Sequence, residues 1–566
     1  MATLLLAAAG SALGGALGFG AVVAQAIGGL AGAVIDRALL RSGRSVEGPR
    51  LSDLDVQAST EGEPIPRLYG RVRLAGQVIW ATRHEEVANE ETRGGKGGVS
   101  VTSYHYYANF AVGLCEGPIH RIARVWADGT LLDTDTITMR VHHGGEDQEP
   151  DALILARQGD DAPAYRGTAY VVFERLPLDD WGNRIPQLTF EVIRVADTLE
   201  GKVRALTMIP GATEYGYATT ALTRTVDGAA LAENRHVTTG ATDFLAALDE
   251  AIELCPELRR IALVVTWFGD DLRAGTCRVR PAVESADKVM GGLADWIFAA
   301  QTGAVWSVAG VSRAEARVVA RVDGRAAYGG TPTDVSIVQA IAAIRERGLA
   351  VTLYPFLAMD IAAGNGLPDP WGGAEQAAFP WRGRITCDPA PGRPGTADRT
   401  AAARTQIAAF VGTIPVSAFA VSGTQVVCSR PDEWSYRRMI LHMAHLAVAA
   451  GGVDAFLIGS ELVGLGRLRD ATGAHPFVEA LVALAADVRT VLGPSTTLTY
   501  GADWSEWFGH HPDDGSGDVI FHLDPLWASP AIDVVGIDAW FPLTDWRPGP
   551  HLDAALEMGE IGRAHV

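Results

Sequence analysis

Apolar runs of strand length alternate with stretches of helical periodicity along the second half of this chain. The runs lie at residues 261–265, 304–308, 349–356, 455–459, 496–500 and 532–537, and helical stretches include residues 334–347, 436–450 and 477–492. Strands buried on both faces of a parallel sheet have continuous apolar sequences of this kind. The alternation predicts an α/β domain, an incomplete (β/α)8 TIM barrel with six strands.

Polar and aromatic side chains follow these runs directly. The active sites of such barrels lie at the carboxyl ends of the strands, because the βα loops meet there. We therefore predict a cleft lined by side chains from several strand ends. They are Trp267, Asp270, Asp271, Tyr354, Asp360, Ser460, Glu461, Asp503, Glu506, Asp538 and Trp540.

Residues 456–462 read Phe-Leu-Ile-Gly-Ser-Glu-Leu. This phrase resembles the fourth-strand motif of clan-A-type retaining glycosidases, especially mannanase-like ones. The resemblance implies that Glu461 is the general acid/base and that a second Glu, on the seventh strand, is the nucleophile about 5 Å away. A lone Glu at a strand end is also often a structural ion-pair partner, and a barrel can bind glycans without cleaving them.

The same resemblance implies a sugar-binding cleft around Glu461. Indole faces, including those of Trp504 and Trp507, offer stacking surfaces for sugar rings. The predicted substrate-binding residues are Trp267, Asp270, Asp271, Tyr354, Asp503, Glu506, Asp538 and Trp540. Longer phrases at residues 267–273, 502–506 and 515–527 resemble the TIM-barrel domain of gene transfer agent tail proteins.

The first half of the chain has a different pattern. Short apolar or β-branched runs alternate with Gly, Pro and Asp turns between residues 53 and 194, which predicts a β-rich region. Phrases at residues 65–73, 107–119 and 165–173 resemble the hub segments of phage tail-tip proteins, among them the host-specificity protein of gene transfer agents. The resemblance implies a ring-forming scaffold, a homotrimer that contacts other tail-tip and hub proteins. The alternative is a separate β-domain that binds sugar.

The amino-terminal segment carries no charged side chain before Asp36. It has no basic region of the kind that precedes the apolar core of a secretory signal. As one helix, residues 1–35 would be about 50 Å long, more than the core of a bilayer. Two interpretations stay open: a helical hairpin packed inside an assembly, or a segment that contacts a membrane once it is released.

Charge and cysteine content exclude several functional classes. The net charge of −20 disfavours a broad nucleic-acid-binding face, so we predict no sequence-specific nucleic-acid binding. Five widely spaced cysteines without a CxxC pair do not indicate a zinc or redox motif. The group His510, His511, Asp513, Asp514, Asp518, His522 and Asp524 matches no standard metal-binding spacing. We therefore expect neither a metal nor a cofactor.

Together these patterns predict a multidomain chain, α+β and then α/β. The predicted parts are a helical apolar segment (1–50), a β-rich tail-hub region (51–205), a connecting segment (206–254), a glycosidase-like TIM barrel (255–560) and a non-native tail (561–566). The last six residues resemble a translated sequencing adapter, and the barrel lacks its last two strands. We therefore expect the sequence to be a fragment without the nucleophile.

Two functions from different classes follow from these resemblances. The first is a structural component of a gene transfer agent tail tip or baseplate, which is assembled in the bacterial cytoplasm and serves host attachment and DNA delivery. Its barrel would bind or cleave a host cell-surface glycan. The alternative is a retaining glycoside hydrolase that acts on cell-surface polysaccharide or peptidoglycan.

Overall fold

The structure is a computed structural model, and it divides the chain into two compact units, Met1–Ile193 and Arg194–Val566. It describes residues 64–93, 99–194, 199–291, 305–512 and 515–539. The predicted apolar helix at residues 1–50 and the tail at residues 561–566 lie outside the described residues. Among the described residues, no helix combines the length and the apolar character that crossing a bilayer requires.

The first unit is built mainly from strands. They are β1 (Gly70–Ala75), β2 (Gln77–Ala81), β3 (Glu85–Arg93), β4 (Val99–Glu116), β5 (Arg121–Ala127), β6 (Thr130–Leu131), β7 (Thr138–His142), β8 (Thr168–Pro177) and β9 (Leu188–Arg194), and the described residues of this unit also include an α-helix, α1 (Ala152–Gln158). One sheet has the order β1-β9-β5-β6, and the other has the order β2-β4-β8-β7 with β3 paired to β4. This content agrees with the β-rich pattern in the sequence.

Aromatic residues from both sheets form the core of the first unit. The rings of Phe110 on β4 and Phe173 on β8 stack with centroids 5.0 Å apart. Phe190 on β9, in the other sheet, lies 6.3 Å from Phe173. Because side chains alternate between the faces of a strand, each sheet gives one apolar face to this core.

The second unit has eighteen strands among its described residues, of which six form one parallel sheet. They are β10 (Ala205–Met208), β11 (Thr223–Val226), β12 (Ala229–Ala232), β13 (Arg260–Gly269), β14 (Val279–Arg280), β15 (Ala282–Val283), β16 (Val289–Met290), β17 (Ser307–Val308), β18 (Val311–Ser312), β19 (Arg317–Val318), β20 (Arg321–Val322), β21 (Arg325–Ala326), β22 (Ala350–Met359), β23 (Phe419–Ser422), β24 (Gln425–Cys428), β25 (Ala455–Ser460), β26 (Thr497–Asp503) and β27 (Gly536–Asp538). The parallel sheet has the order β10-β13-β22-β25-β26-β27.

Helices precede most strands of this sheet, as βα alternation predicts. The helices of the second unit are α2 (Asp243–Leu254), α3 (Asp334–Glu346), α4 (Ala401–Val411), α5 (Tyr436–Ala449), α6 (Val463–Gly466), α7 (Pro476–Leu492) and α8 (Asp524–Trp527). Thr242, Thr333 and Ser435 each start a helix by accepting a backbone N–H in their side-chain oxygens. The result is a TIM-barrel-like half-barrel of parallel strands with helices on its outer face.

One predicted strand is not part of this sheet. Residues 304–308 are predicted as a barrel strand, but Ser307–Val308 forms a hairpin with Val311–Ser312. Ala309 and Gly310 both have positive φ, which is the requirement of a tight two-residue hairpin turn. The sheet begins instead with Ala205–Met208, which pairs in parallel with β13. This four-residue edge strand is partly exposed, so it lacks the continuous apolar run that marks the inner strands.

Candidate functional site

Three strands of the parallel sheet bring polar side chains together, and a glycine on a fourth strand lies among them. Tyr354 lies on β22, Ser460 ends β25, and Asp538 ends β27. Ser460 is the register partner of Gly501 on β26. A Cβ atom on Gly501 would lie 3.0 Å from the Cβ of Ser460 and 3.1 Å from Oδ1 of Asp538. The glycine therefore leaves the room in which these side chains meet.

Local backbone distortion sets the position of Glu461. The pairing of β25 with β26 shifts register between Leu457 and Ser460, and bulges of this kind often redirect a side chain near a functional site. Glu461 follows with φ +53°, a left-handed conformation that is uncommon for residues other than glycine. Its N–H donates to the carbonyl oxygen of Gly501 at 2.8 Å. This bond holds the strained residue in place.

Two neighbouring residues of one loop hold the Glu461 carboxylate. The indole Nε1–H of Trp381 donates to Oε2 at 2.6 Å. Nη2 of Arg382 lies 3.1 Å from the same oxygen. The Arg382 guanidinium also donates from Nε to the Ser460 carbonyl at 2.9 Å and stacks 4.0 Å from the ring centre of Phe356. Buried carboxylates need such charge-assisted bonds.

Asp538 completes the Glu461 cluster, which we define as Tyr354, Arg382, Ser460, Glu461 and Asp538. The Tyr354 hydroxyl lies 2.6 Å from Oδ2 of Asp538 and 2.7 Å from the Ser460 hydroxyl. Asp538 also shares a side-chain hydrogen bond with Glu461. Burial, and then the nearby negative charge of Glu461, raise the pKa of Asp538 to about 6.

The geometry of the Glu461 cluster suits proton transfer. Because the pKa of Asp538 is raised to about 6, this carboxyl holds a proton at mildly acidic pH. The guanidinium of Arg382 lies beside Glu461 and 4.0 Å from Asp538, where it offsets negative charge. A buried carboxyl with a pKa near the working pH can act as a general acid or base. The cluster can therefore donate or accept a proton at the carboxyl end of the sheet.

Trp267 is not brought to this cluster. It lies opposite Leu357 in the pairing of β13 with β22, whereas Tyr354 lies opposite Val264. Since residues 264 and 267 are an odd number of positions apart, their side chains face opposite sides of the sheet. The Trp267 ring is fully buried on the outer side, between Trp434 at 6.0 Å and His442 at 5.4 Å. A ring in that position has no free face for a sugar.

Asp270 and Asp271 follow β13, and their carboxylates accept hydrogen bonds from nearby loop residues. Asp270 accepts the N–H of Arg278 at 2.7 Å. Asp271 accepts from the Arg273 guanidinium at 2.6 Å and from the Gln376 amide at 2.8 Å. The hydrogen bonds from Arg273 outweigh the cost of burial and lower the pKa of Asp271. Both carboxylates thus have hydrogen-bond partners away from the Glu461 cluster.

Asp503 and Glu506 lie close to the Glu461 cluster, but their carboxylates accept backbone N–H groups of their own short segment. Asp503 is the register partner of Asp538. Its carboxylate caps the short 3-10 helix Trp504–Glu506 by accepting the N–H of Ser505, and Glu506 accepts the N–H of Asp503 in return. Glu506 also lies 3.0 Å from Nε2 of His522. Trp540 lies outside the described residues.

The sequence argument missed Trp381 and Arg382. Both lie in the long connection between β22 and β25, which has no strand or helix pattern near them. A cation was nevertheless to be expected in that connection, since two buried carboxylates at one sheet edge need one. Trp381 and Arg382 stand in the run Trp-Arg-Gly-Arg at residues 381–384, which combines an indole with two arginines.

A second group of carboxylates lies elsewhere in this unit. Glu214, Glu233 and Glu284 have oxygen atoms within 4.8 Å of one another, which is a spacing that suits a cation. Lys288 occupies the middle of this group, with Nζ at 3.1, 2.8 and 2.6 Å from the three carboxylates. The ammonium therefore fills the position that a metal ion would take.

The described histidines between residues 510 and 522 each contact groups of the protein. His522 bonds to Glu506, and the His510 ring lies 6.3 Å from the His522 ring. His511 points Nε2 at the Phe508 carbonyl, 3.2 Å away. Burial, followed by the charge of Arg467, lowers the pKa of His510 to about 4. Asp513 and Asp514 lie outside the described residues.

Comparison with known proteins finds a family model that matches the carboxyl-terminal part of the chain. Residues 434–564 match the family described as the GTA TIM-barrel-like domain, where GTA stands for gene transfer agent. Glu461, Asp503, Glu506 and Asp538 lie within the matched residues. The chain therefore carries a GTA TIM-barrel-like domain, which confirms the resemblance identified in the sequence. Among curated proteins, none matches the chain.

Solved structures give further similarities. A chain in the structure "Virion of native gene transfer agent (GTA) particle" is 44% identical, covers 36% of this chain and 44% of its own length, and has a TM-score of 0.23. This chain thus spans less than half of that particle protein. A GH113 β-1,4-mannanase is 14% identical over 56% of this chain and 61% of its own, with a TM-score of 0.25. The GH113 β-mannanase of Alicyclobacillus acidocaldarius is 13% identical over 61% and 63%, with a TM-score of 0.29.

Proposed function

Given that residues 434–564 match the GTA TIM-barrel-like domain, we propose that this chain is a structural component of the tail tip of a gene-transfer-agent-like particle. It would assemble in the bacterial cytoplasm with other tail-tip and hub proteins, as a homotrimer. The barrel would then present the Glu461 cluster to a glycan of the host cell surface. The family match is the observation on which this proposal mainly rests.

The net charge of −20 fits a role in attachment rather than in holding the cargo DNA. An acidic surface repels a phosphate backbone, so contact with DNA along a broad face is unfavourable. A neutral glycan carries no charge that this surface would repel. The charge therefore favours a partner on the cell surface over a nucleic acid.

The tail-tip assignment is tested on intact particles. A tag on the chain should be found by immuno-electron microscopy at one end of the tail, and the mass of the released complex should correspond to three copies. Deletion of the gene should leave particles that do not transfer DNA. A label on the head, or normal transfer without the gene, would contradict the assignment.

The second candidate function is a retaining glycoside hydrolase, and the shared hydrogen bond between Glu461 and Asp538 favours it. In the complete protein, Glu461→Gln should lower sugar release from host envelope by about 10²–10⁴-fold, because a general acid/base contributes that much to the rate. Particles with this substitution should still assemble. If they release sugar as the parent does, the hydrolase proposal fails. If sugar release falls but DNA transfer stays normal, the structural role is independent of cleavage.

A further inference from the structure

We propose that Trp381 is the sugar-stacking platform of this site and that its ligand is a neutral pyranose of a glycan chain. This inference rests on the proposed function, and it names the class of ligand and the residue that binds it. Trp381 lies next to Glu461 in space, and the residue is 43% exposed. Trp267, which the sequence suggested for this role, is fully buried.

The orientation of the Trp381 ring is fixed on one face. A Cβ atom added to Gly383 would lie 2.4, 2.4 and 2.6 Å from three successive carbons of the six-membered ring. Almost equal distances to neighbouring ring atoms mean that the face of the ring, rather than its edge, lies against Gly383. Since one face covers the Gly383 backbone, the exposed part of the ring belongs to the opposite face and its rim.

The edge of the ring is fixed as well. Nε1–H donates to Oε2 of Glu461 at 2.6 Å, so the carboxylate lies at the rim of the indole. A pyranose stacked on the free face would therefore have its hydroxyl groups beside Glu461. Glu461 is only 5% exposed, so a ligand reaches it along the indole rather than directly from solvent. Such a flat, preoriented aromatic surface binds at a low entropy cost.

The charges around the platform favour a neutral ligand. Arg382 is the cation of the Glu461 cluster, and its guanidinium already bonds to Glu461 and to both oxygens of Ser460. Asp538 adds a second carboxyl group 4.0 Å from Arg382. An acidic sugar beside Glu461 would meet the charge of these carboxylates, and the Arg382 guanidinium next to them is already engaged. We therefore expect neutral glycans to bind more tightly than uronic-acid glycans.

The test is a titration of the full chain with glycan probes, in which binding is measured by calorimetry and by tryptophan fluorescence. The probes are mannohexaose and cellohexaose as neutral glycans and hexagalacturonate as the acidic one. We expect Trp381→Ala to weaken binding of a neutral hexasaccharide about tenfold, since stacking on an indole contributes on that order. Trp381→Phe should lose about two- to fivefold, because it keeps a ring face but not the N–H.

Gly383→Ala provides the variant that keeps the indole. The added methyl group would displace the Trp381 ring, so binding should fall towards that of Trp381→Ala while the far-ultraviolet circular dichroism stays unchanged. Tyr69→Ala is the control, because Tyr69 is an aromatic residue of the first unit that is 61% exposed. The affinity of this variant for the probes should stay within about twofold of the parent.

The outcomes separate this inference from the proposed function. If the parent binds a neutral probe and Trp381→Ala binds it equally well, the platform is wrong while glycan binding stands. If Trp381→Phe loses as much as Trp381→Ala, Trp381 only positions Glu461 and the platform is wrong. Tighter binding of hexagalacturonate would overturn the neutral class of ligand. If the parent binds none of the probes, the platform and the glycan part of the proposed function both fail.

Discussion

The two faces of the parallel sheet in the second unit bury different chemistry. On the outer face, Trp267 packs with Trp434 and His442, and its indole N–H has no hydrogen-bond partner among the described residues. At the carboxyl end of the inner face, the polar atoms of the Glu461 cluster bond to one another. The Trp381 indole beside that cluster uses its N–H to hold Glu461.

This difference shows that position along a strand does not identify a site residue. Trp267 and Tyr354 lie on neighbouring strands that the sequence assigned to one cleft, but their side chains face opposite sides of the sheet. The outer face is closed by helices and provides stability through packing. The inner face opens at one end, where polar groups can meet a ligand. Substitutions on the two faces should therefore change different properties.

The largest expected effect is on the outer face. Trp267→Ala should lower the free energy of unfolding by about 3–5 kcal/mol, because it leaves a cavity in a packed core. Denaturant unfolding monitored by circular dichroism measures the change. Trp381→Ala, on the exposed loop, should cost much less. Equal losses for the two variants would remove the distinction between a packing indole and a surface indole.

The next effect concerns the inner face and its dependence on pH. The pKa of Asp538 is about 6 in the folded chain, above its ordinary value near 3.8, so ionisation costs more in the folded than in the unfolded state. Asp538 therefore destabilises the fold progressively as pH rises from about 4 to 6. Asn can accept from Tyr354 and donate to Glu461 without ionising. Asp538→Asn should thus be more stable than the parent at pH 8.

The gain should be on the order of 1–2 kcal/mol once solvent screening is allowed for. Thermal unfolding of both proteins between pH 4 and pH 8 gives the comparison. At pH 4, where the parent carboxyl is already protonated, the two should unfold at similar temperatures. A variant that is less stable than the parent at every pH would show that the Asp538 charge stabilises the site.

A smaller effect is expected at the edge of the cluster. Asp503→Ala removes the carboxylate that accepts the Ser505 N–H at the start of Trp504–Glu506. Loss of such a cap costs about 1 kcal/mol. Ser505→Ala keeps the N–H donor and is the matched control. A sugar-binding defect in Asp503→Ala without a loss of stability would instead make Asp503 a ligand-contacting residue.

The smallest effect is expected at a solvent-exposed indole. Trp507→Ala should change the free energy of unfolding by less than about 0.5 kcal/mol, because the residue is 68% exposed. Chemical denaturation provides the measurement. A loss comparable to that of Trp267→Ala would mean that Trp507 contributes to a packed core despite its exposure.

The sequence predicted the parts of the second unit that have the strongest patterns. The inner strands β13, β22, β25 and β26 are continuous apolar runs, and each run lies where the sequence places it. The prediction of a barrel strand at residues 304–308 was wrong because a tight hairpin also contains β-branched residues. The sequence did not predict the short edge strand Ala205–Met208, because half of its residues face solvent.

For the candidate site, the sequence grouped Tyr354, Glu461 and Asp538, and the structure brings these three together. The sequence could not show that Trp381 rather than Trp267 lies beside Glu461. That depends on which side of the sheet a strand residue faces, and on the path of a loop without periodicity. The bulge before Glu461 also changes which way the chain points after β25. A count of residues along the strand cannot reveal such a change.

By itself, the sequence determined the α/β alternation, the strand ends at which polar residues gather, and the resemblance around Glu461. These features are local in the chain, since burial and strand propensity leave their pattern in consecutive residues. Only the tertiary structure decided which indole faces solvent, which cation holds Glu461 and why Asp538 keeps a proton near pH 6. Those properties depend on distances between residues far apart in sequence, where burial and neighbouring charge act together.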